Sequence, residues 1–214
     1  MTNALSSPLS FGYTLPPGWL VISLDEAARQ DAEAIINDLG AFAVQQIEDE
    51  ALRIQTNEKV CSMLRVDADR ARELGGQQML LQIAGGFGTL QASSCIVAQK
   101  GTVLDPEELD LSALLSLAER DFAADGDEVS LALVQGSDGG VRIVALGDPT
   151  TPGPVDAQYF IPIPGTAELL SFTFEMRLGL LRHDALRLFD TIIDSLRFAA
   201  TELEESRPES GNDG

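Results

Sequence analysis

The chain has one histidine, His183, and two cysteines, Cys61 and Cys95. A single histidine excludes multi-histidine metal centres and weakens any Ser-His or Cys-His relay. Two cysteines in 214 residues make no disulfide framework, and they form no CxxC pair. A nucleophilic cysteine would need an electropositive setting, which neither shows locally. Both lie in apolar-patterned segments and read as buried free thiols, which suits a reducing compartment. HExxH, Walker A and GxGxxG spacings are missing as well. Basic residues are scarce: 14 Lys+Arg face 34 Asp+Glu, for a formal charge of −20. That balance repels nucleic acid and anionic membrane surfaces. No apolar run approaches the ~20 residues of a membrane span. The opening MTNALSSPLS has no charged or apolar leader region and no lipid-attachment cysteine nearby. The expectation is a cytoplasmic chain with no cofactor, no metal, no membrane span and no nucleic-acid partner.

What remains is ample for a core. Hydrophobic residues make up 44% of the chain and the mean hydropathy is +0.06. The length fits one domain, or one domain with a large insertion. The best-specified stretch covers residues 158–198, which read as strand, Pro-Gly turn, strand, connector and helix. Leu170, Phe172, Phe174 and Met176 alternate with Ser171, Thr173, Glu175 and Arg177, the period of a half-buried strand. Pro164-Gly165 is a turn signal, and so short a connector implies antiparallel pairing with the run before it. Pro162 places that run at a sheet edge or a strand end. Ala185, Phe189, Ile192 and Leu196 recur at helical spacing, with Asp184 suited to the first turn and Arg197 to the last.

Elsewhere the pattern is mixed. A first strand is expected near 11–15, closed by the Pro-Pro-Gly-Trp turn at 16–19, with another at 20–24. Ala32, Ile36, Leu39, Ala43, Ile47, Ala51 and Ile54 predict one long helix over about 25–57, bent near Gly40. A second, more polar helix is expected over 58–74, ending at Gly75-Gly76. Strands at 79–84 and 90–98 flank a Gly-rich turn that reads as a hairpin rather than a phosphate loop. Asp105, Pro106, Glu107 and Glu108 predict a helix start running to about Phe122. A hairpin follows over 129–146, then a Pro-rich loop at 148–154. Residues 1–10 and the acidic stretch 200–214 read as loose ends. The whole predicts one α+β domain over 11–199: a mainly antiparallel sheet with helices on its faces, and 25–74 as a helical elaboration.

Three residues stand out as candidate binding positions. Trp19, the only tryptophan, suits either a core or lid position or a ligand-stacking one. Arg142 lies between apolar residues of a strand, where it is either an outward-facing residue or a partner anchor. Tyr159 is the third, on residue type. Carboxylate pairs such as Asp190 and Asp194, four apart on the last helix, read as a solvated face. His183 reads as an exposed connector residue.

Two short motifs carry a family resemblance: YTLPPGW at 13–19 and FDTIIDSLRF at 189–198, which ends in Ile193-Asp194-Ser195-Leu196-Arg197-Phe198. Together with ASSCIVAQK at 92–100, they resemble the Mog1/PsbP-like group of α/β sandwiches. That group includes a cofactor to a Ran-type GTPase, photosystem subunits and actinobacterial lipoproteins. The stretch 159–165 (YFIPIPG) is also similar to uncharacterised actinobacterial proteins, some encoded near type VII secretion genes. The resemblance implies protein binding and no common active site, so it transfers no catalytic residue. The leading expectation is therefore a non-enzymatic protein-interaction module, an adaptor or chaperone-like factor associated with type VII secretion. A small-ligand binder with a pocket between helices and sheet is the alternative. A carboxylate-dependent hydrolase is the weaker one.

Overall fold

A computed structural model describes residues 10–86, 89–102, 104–135, 137–145, 154–176 and 182–199, with side chains left out at 83–86 and 89–92. The elements, in order, begin with β1 (Ser10–Gly12), β2 (Trp19–Ser23), a 3-10 turn (Glu26–Ala28), α1 (Arg29–Ala43) and α2 (Glu50–Glu73). Then come β3 (Gly76–Gly86), β4 (Thr89–Gly101), α3 (Leu111–Leu117) and a π turn (Ala118–Phe122). The chain continues with β5 (Glu128–Ala132), β6 (Gly140–Val144), β7 (Val155–Pro162), β8 (Glu168–Met176), α4 (Arg182–Asp194) and β9 (Arg197–Ala199).

Seven strands form one sheet in the order β2-β3-β4-β8-β7-β6-β5, and every neighbouring pair is antiparallel. β1 and β9 form a separate antiparallel pair, with Phe11 opposite Phe198. This is the α+β sandwich that the pattern predicts. On one face, Leu80, Cys95, Val97, Tyr159, Phe172 and Phe174 pack against Phe189 and Ile192 of α4 and against Leu196, two residues beyond its end. The other face carries two smaller clusters. Met79 and Leu81 meet Ile36, Leu39 and Leu64 of the α1–α2 pair, while Val141, Ile143 and Phe160 meet Leu114 and Leu117 of α3. The period of two in the strands sends alternate residues to these two layers.

Several boundaries differ from the sequence pattern. The expected 25–57 helix is two helices. Asp49 Oδ1 accepts from Leu52 N at 2.9 Å, so Asp49 caps a new start, and α2 begins at Glu50 rather than 58. Ile54, expected on the core stripe, is 52% exposed. Gly40 marks a close approach rather than a bend: a Cβ there would lie 2.3 Å from Cys61 Sγ and 2.4 Å from Asn57 Oδ1. Gly75 ends α2 at φ +79°, as its position past the last helical residue suggests.

The helix expected from Asp105 begins at Leu111 instead. Asp110 Oδ1 takes the cap bond from Ala113 N at 2.7 Å, and the Asp105 carbonyl closes a separate turn with Glu108 N. Pro162 ends β7, the strand-end alternative of its two readings, and β7 itself lies inside the sheet. His183 stands in the first turn of α4 rather than ahead of it, and it is exposed beside Asp184. Arg197 belongs to β9, yet its Nη1 still donates to the carbonyls of Asp194 and Leu196, at 2.9 and 2.7 Å, and so caps the end of α4. The expected loose ends fall outside the described residues except for Ser10, which opens β1. The expected loop at 148–154 lies outside them too, apart from Pro154.

Candidate functional site

Four side chains share one row across the sheet: Ser130 of β5, Arg142 of β6, Tyr159 of β7 and Phe172 of β8 are direct neighbours in register. Residues opposite one another in a sheet project from the same face. Val144, two residues on from Arg142, belongs to the α4-side core. Arg142 therefore points inward beneath α4, which corrects the reading of an outward strand position. It stands between Val141 and Ile143, which pack against α3 on the opposite face.

A cation placed there needs a partner, because an unpaired buried charge is costly. Asp190 of α4 supplies it. Arg142 Nη1 donates to Asp190 Oδ2 at 2.8 Å and to Oδ1 at 3.1 Å, while its Nε donates to Ser130 Oγ at 3.2 Å. Tyr159, fully buried, donates its hydroxyl to Asp190 Oδ1 at 2.8 Å, and its ring meets Phe174 edge-on at 5.7 Å. Burial pulls the Arg142 guanidinium down, but the charge and hydrogen bonds of Asp190 and Tyr159 outweigh it and leave the group above its usual value. Burial, with the Asp190 charge added, pushes the Tyr159 hydroxyl far above its usual range.

The same seam is stitched at both ends. Arg182 Nη2 lies 3.4 Å from Glu128 Oε2, and Gln135 Nε2 donates to Asp194 Oδ2 at 3.1 Å. Arg197 Nη2 donates to Gln135 Oε1. These contacts run in the same order along both elements, so α4 lies parallel to β5. Between them is a depression of about 460 Å³, lined by Leu131, Ala132 and Leu133 on one wall and by Arg187, Asp190, Thr191 and Asp194 on the other, with Arg142 below. β5 is the last strand of the sheet, so its outer backbone groups have no strand partner among the described residues. Leu131 is 59% exposed and Leu133 is 86% exposed.

The structure thus brings Arg142 and Tyr159 together and keeps Trp19 apart from them. Trp19 lies on β2 at the opposite edge of the sheet, buried at 7% exposure. Trp19 thus takes the core position that was one of its two readings, and Tyr159, singled out on residue type, is buried as well. Trp19 begins another row, facing Gln82 of β3, which faces Ser93 of β4. Trp19 Nε1, Gln82 Oε1 and Ser93 Oγ are buried there without a hydrogen-bond partner among the described residues.

Asp190 is the residue that sequence reasoning missed. Its spacing from Asp194 read as a solvated pair, whereas its carboxylate is taken up by Arg142 and Tyr159. The available signal was Arg142 itself, a cation in an apolar strand that required an anion. Asp194 bonds to Gln135, so the two acids do not act as a pair. A larger depression of about 820 Å³ lies between the start of α3 and the β7–β8 turn, but its Asp110 is already committed to capping α3. Burial pushes the Cys95 thiol well above its usual value, against the pull of a backbone hydrogen bond at Thr173. That leaves it a poor nucleophile. Among the described residues, no three His, Cys, Asp or Glu side chains converge as a metal-binding group, and no helix is long and apolar enough to cross a membrane.

No protein-family model and no curated protein matches the chain. Among solved structures it is similar to LpqN, involved in cell envelope biogenesis of Mycobacterium tuberculosis, with a TM-score of 0.41 and 11% identity. The match covers 92% of this chain and 88% of that one. A likeness at that level carries neither fold nor function across.

Proposed function

We propose that the chain is a non-enzymatic protein-interaction module that receives its partner at the outer edge of β5. The observation behind this reading is that edge itself: a terminal strand with Leu131 59% exposed and Leu133, just past its end, 86% exposed, beside a helix locked in place by the Arg142–Asp190–Tyr159 contacts. An exposed apolar sheet edge is a template for another strand unless something covers it. The opposite edge is less suited, because Leu20 and Val21 of β2 are only 44% and 41% exposed. Arg142 acts here as a positioning residue that fixes α4 against the sheet. The resemblance at 13–19, 159–165 and 189–198 supports a narrower version, a cytoplasmic adaptor or chaperone-like factor serving type VII secretion.

The test is co-purification from the native host, using the intact chain and a Leu131→Lys/Leu133→Glu variant. The reading expects a protein held by the first and lost by the second. A partner retained equally by both would move the interface elsewhere. Recovery only of proteins unconnected with secretion would remove the narrower version.

A second reading rests on a different observation. Trp19 Nε1, Gln82 Oε1 and Ser93 Oγ, adjacent in register and unpartnered among the described residues, suit a small polar ligand. Because Trp19 is the only tryptophan, its fluorescence reads that site alone. A metabolite panel that leaves the emission unchanged would end this reading.

A further inference from the structure

Four charged side chains line the groove between β5 and α4, and they divide into two kinds. Arg142 and Asp190 neutralise each other at 2.8 Å. Arg187 and Asp194, on the same helix wall, form no ion pair among the described residues, although Asp194 accepts a hydrogen bond from Gln135. They are seven residues apart on α4, a rise of about 10 Å. The groove thus has a cation nearer the Arg182–Glu128 end and an anion at the Gln135 end. The chain's charge of −20 does not decide what fits there. At physiological salt the screening length is about 8 Å, so a bound segment is governed by the groups beside it.

From this arrangement we infer that the groove takes an extended peptide, paired antiparallel to β5, that carries a basic residue followed four positions later by an acidic one. The inference rests on the reading of β5 as the interaction edge. Four residues of strand cover about 13 Å and return to the same face, which is near enough to the Arg187–Asp194 spacing for a flexible arginine to close the gap. Antiparallel pairing matches every pair of the sheet, and it runs the peptide from the Asp194 end towards the Arg187 end. The basic residue then meets Asp194 and the acidic one meets Arg187. Apolar side chains at the alternate positions between them lie on the opposite face, alongside Leu131, which pairs with Val141 of the α3-side layer.

The experiment uses the full chain and two labelled peptides of about eight residues, a typical strand length. Both have blocked ends and the same Val/Thr background. One has Lys four positions before Glu, and the other has the two exchanged. Fluorescence anisotropy gives affinity, and amide exchange at 128–133 reports strand addition. The Lys-first peptide is expected to bind more tightly, by about fivefold for each exposed ion pair, and to protect β5 amides. An Arg187→Glu/Asp194→Lys variant should reverse the preference. Neither position belongs to the buried stripe of α4, Arg187 being exposed and Asp194 half-buried, and circular dichroism confirms that the variant folds.

Equal binding of both peptides, or a preference for the Glu-first one, overturns the inference but leaves the interaction edge intact. Failure of both peptides to protect β5 also overturns it, provided the native partner still requires Leu131 and Leu133. A native partner indifferent to those leucines would instead sink the reading on which the inference stands.

Discussion

Helices α4 and α2 lie on opposite faces of the same sheet and are held in different ways. α4 has 13 residues, with Ala185, Phe189, Ile192 and Ile193 fully buried. Phe189 stacks on Phe174 with ring centroids 4.3 Å apart. α2 has 24 residues and buries only Val60, Cys61, Leu64, Ala68 and Ala71. None of residues 50–59 is buried, and Leu52 and Ile54 are each 52% exposed. Asp49 at the cap and good helix formers carry the first turns of α2, whereas burial and a charge anchored in the sheet carry α4. An apolar stripe on a short helix therefore marks where the core is. On a long helix it marks only the part that reaches the sheet.

The largest loss is expected at Phe189. Phe189→Ala removes a fully buried ring and should cost about 3–5 kcal/mol, measured as a shift in the urea midpoint. A loss below about 1 kcal/mol would mean that α4 is not the principal layer. Next comes the α1–α2 contact. Gly40→Ala should destabilise by about 1–3 kcal/mol although alanine favours helix, since its Cβ would meet Cys61 Sγ at 2.3 Å. Adding Cys61→Ala should recover part of that loss. A Gly40→Ala variant as stable as the parent would show that the two helices have room to separate.

Smaller again is the Asp190 pair. Its two side chains are 18% and 44% exposed, so water screens part of the interaction. Asp190→Ala should cost about 1–2 kcal/mol, less than a fully buried pair would. In a double-mutant cycle with Arg142→Met the two losses should not add. Strict additivity would separate Arg142 from Asp190 and remove the basis for calling it a positioning residue.

The difference between the helices also explains what could be read in advance. The Pro164-Gly165 turn and the α4 stripe are local signals, and both appear in the structure; the β8 alternation appears over 172–176, whereas Ser171, expected to face outward, is 2% exposed because that half of β8 is covered on both faces. The strand order does not follow from such signals, because β4 pairs with β8 across a long stretch of intervening chain. The break at 44–49 was hidden because Ile47, Ala51 and Ile54 continue the helical period by composition while Asp49 restarts the backbone. The candidate site was half legible. Arg142 and Tyr159 drew attention by residue type, but the partner that joins them, Asp190, lies on another element, and its side chain resembled the solvated acids around it.

The hold of the α4 layer also depends on pH, through the two tyrosines. Tyr13 and Tyr159 both pack in the α4-side core, and burial raises both hydroxyls far above their ordinary value. A group whose folded pKa lies above its unfolded one gives stability that is complete below the unfolded pKa, near 10 for tyrosine, and is lost as pH rises beyond it. Unfolding should therefore become easier above about pH 10, with tyrosinate absorbance appearing together with the loss of the α4 layer. Tyr159→Phe should flatten that decline. A tyrosine titrating near 10 in the folded chain would show that the hydroxyl is open to water.

The smallest expected effect lies at the other extreme of the comparison. Leu52→Glu and Ile54→Glu replace apolar side chains that are about half exposed on the first turns of α2. Neither removes a packed contact in the core, and glutamate near a helix N-terminus interacts favourably with the helix dipole. Each change should stay within about 0.5 kcal/mol of the parent. A loss of several kcal/mol would place these side chains against something on the α2 face. It would also erase the distinction between a helix started by its cap and one held by the core.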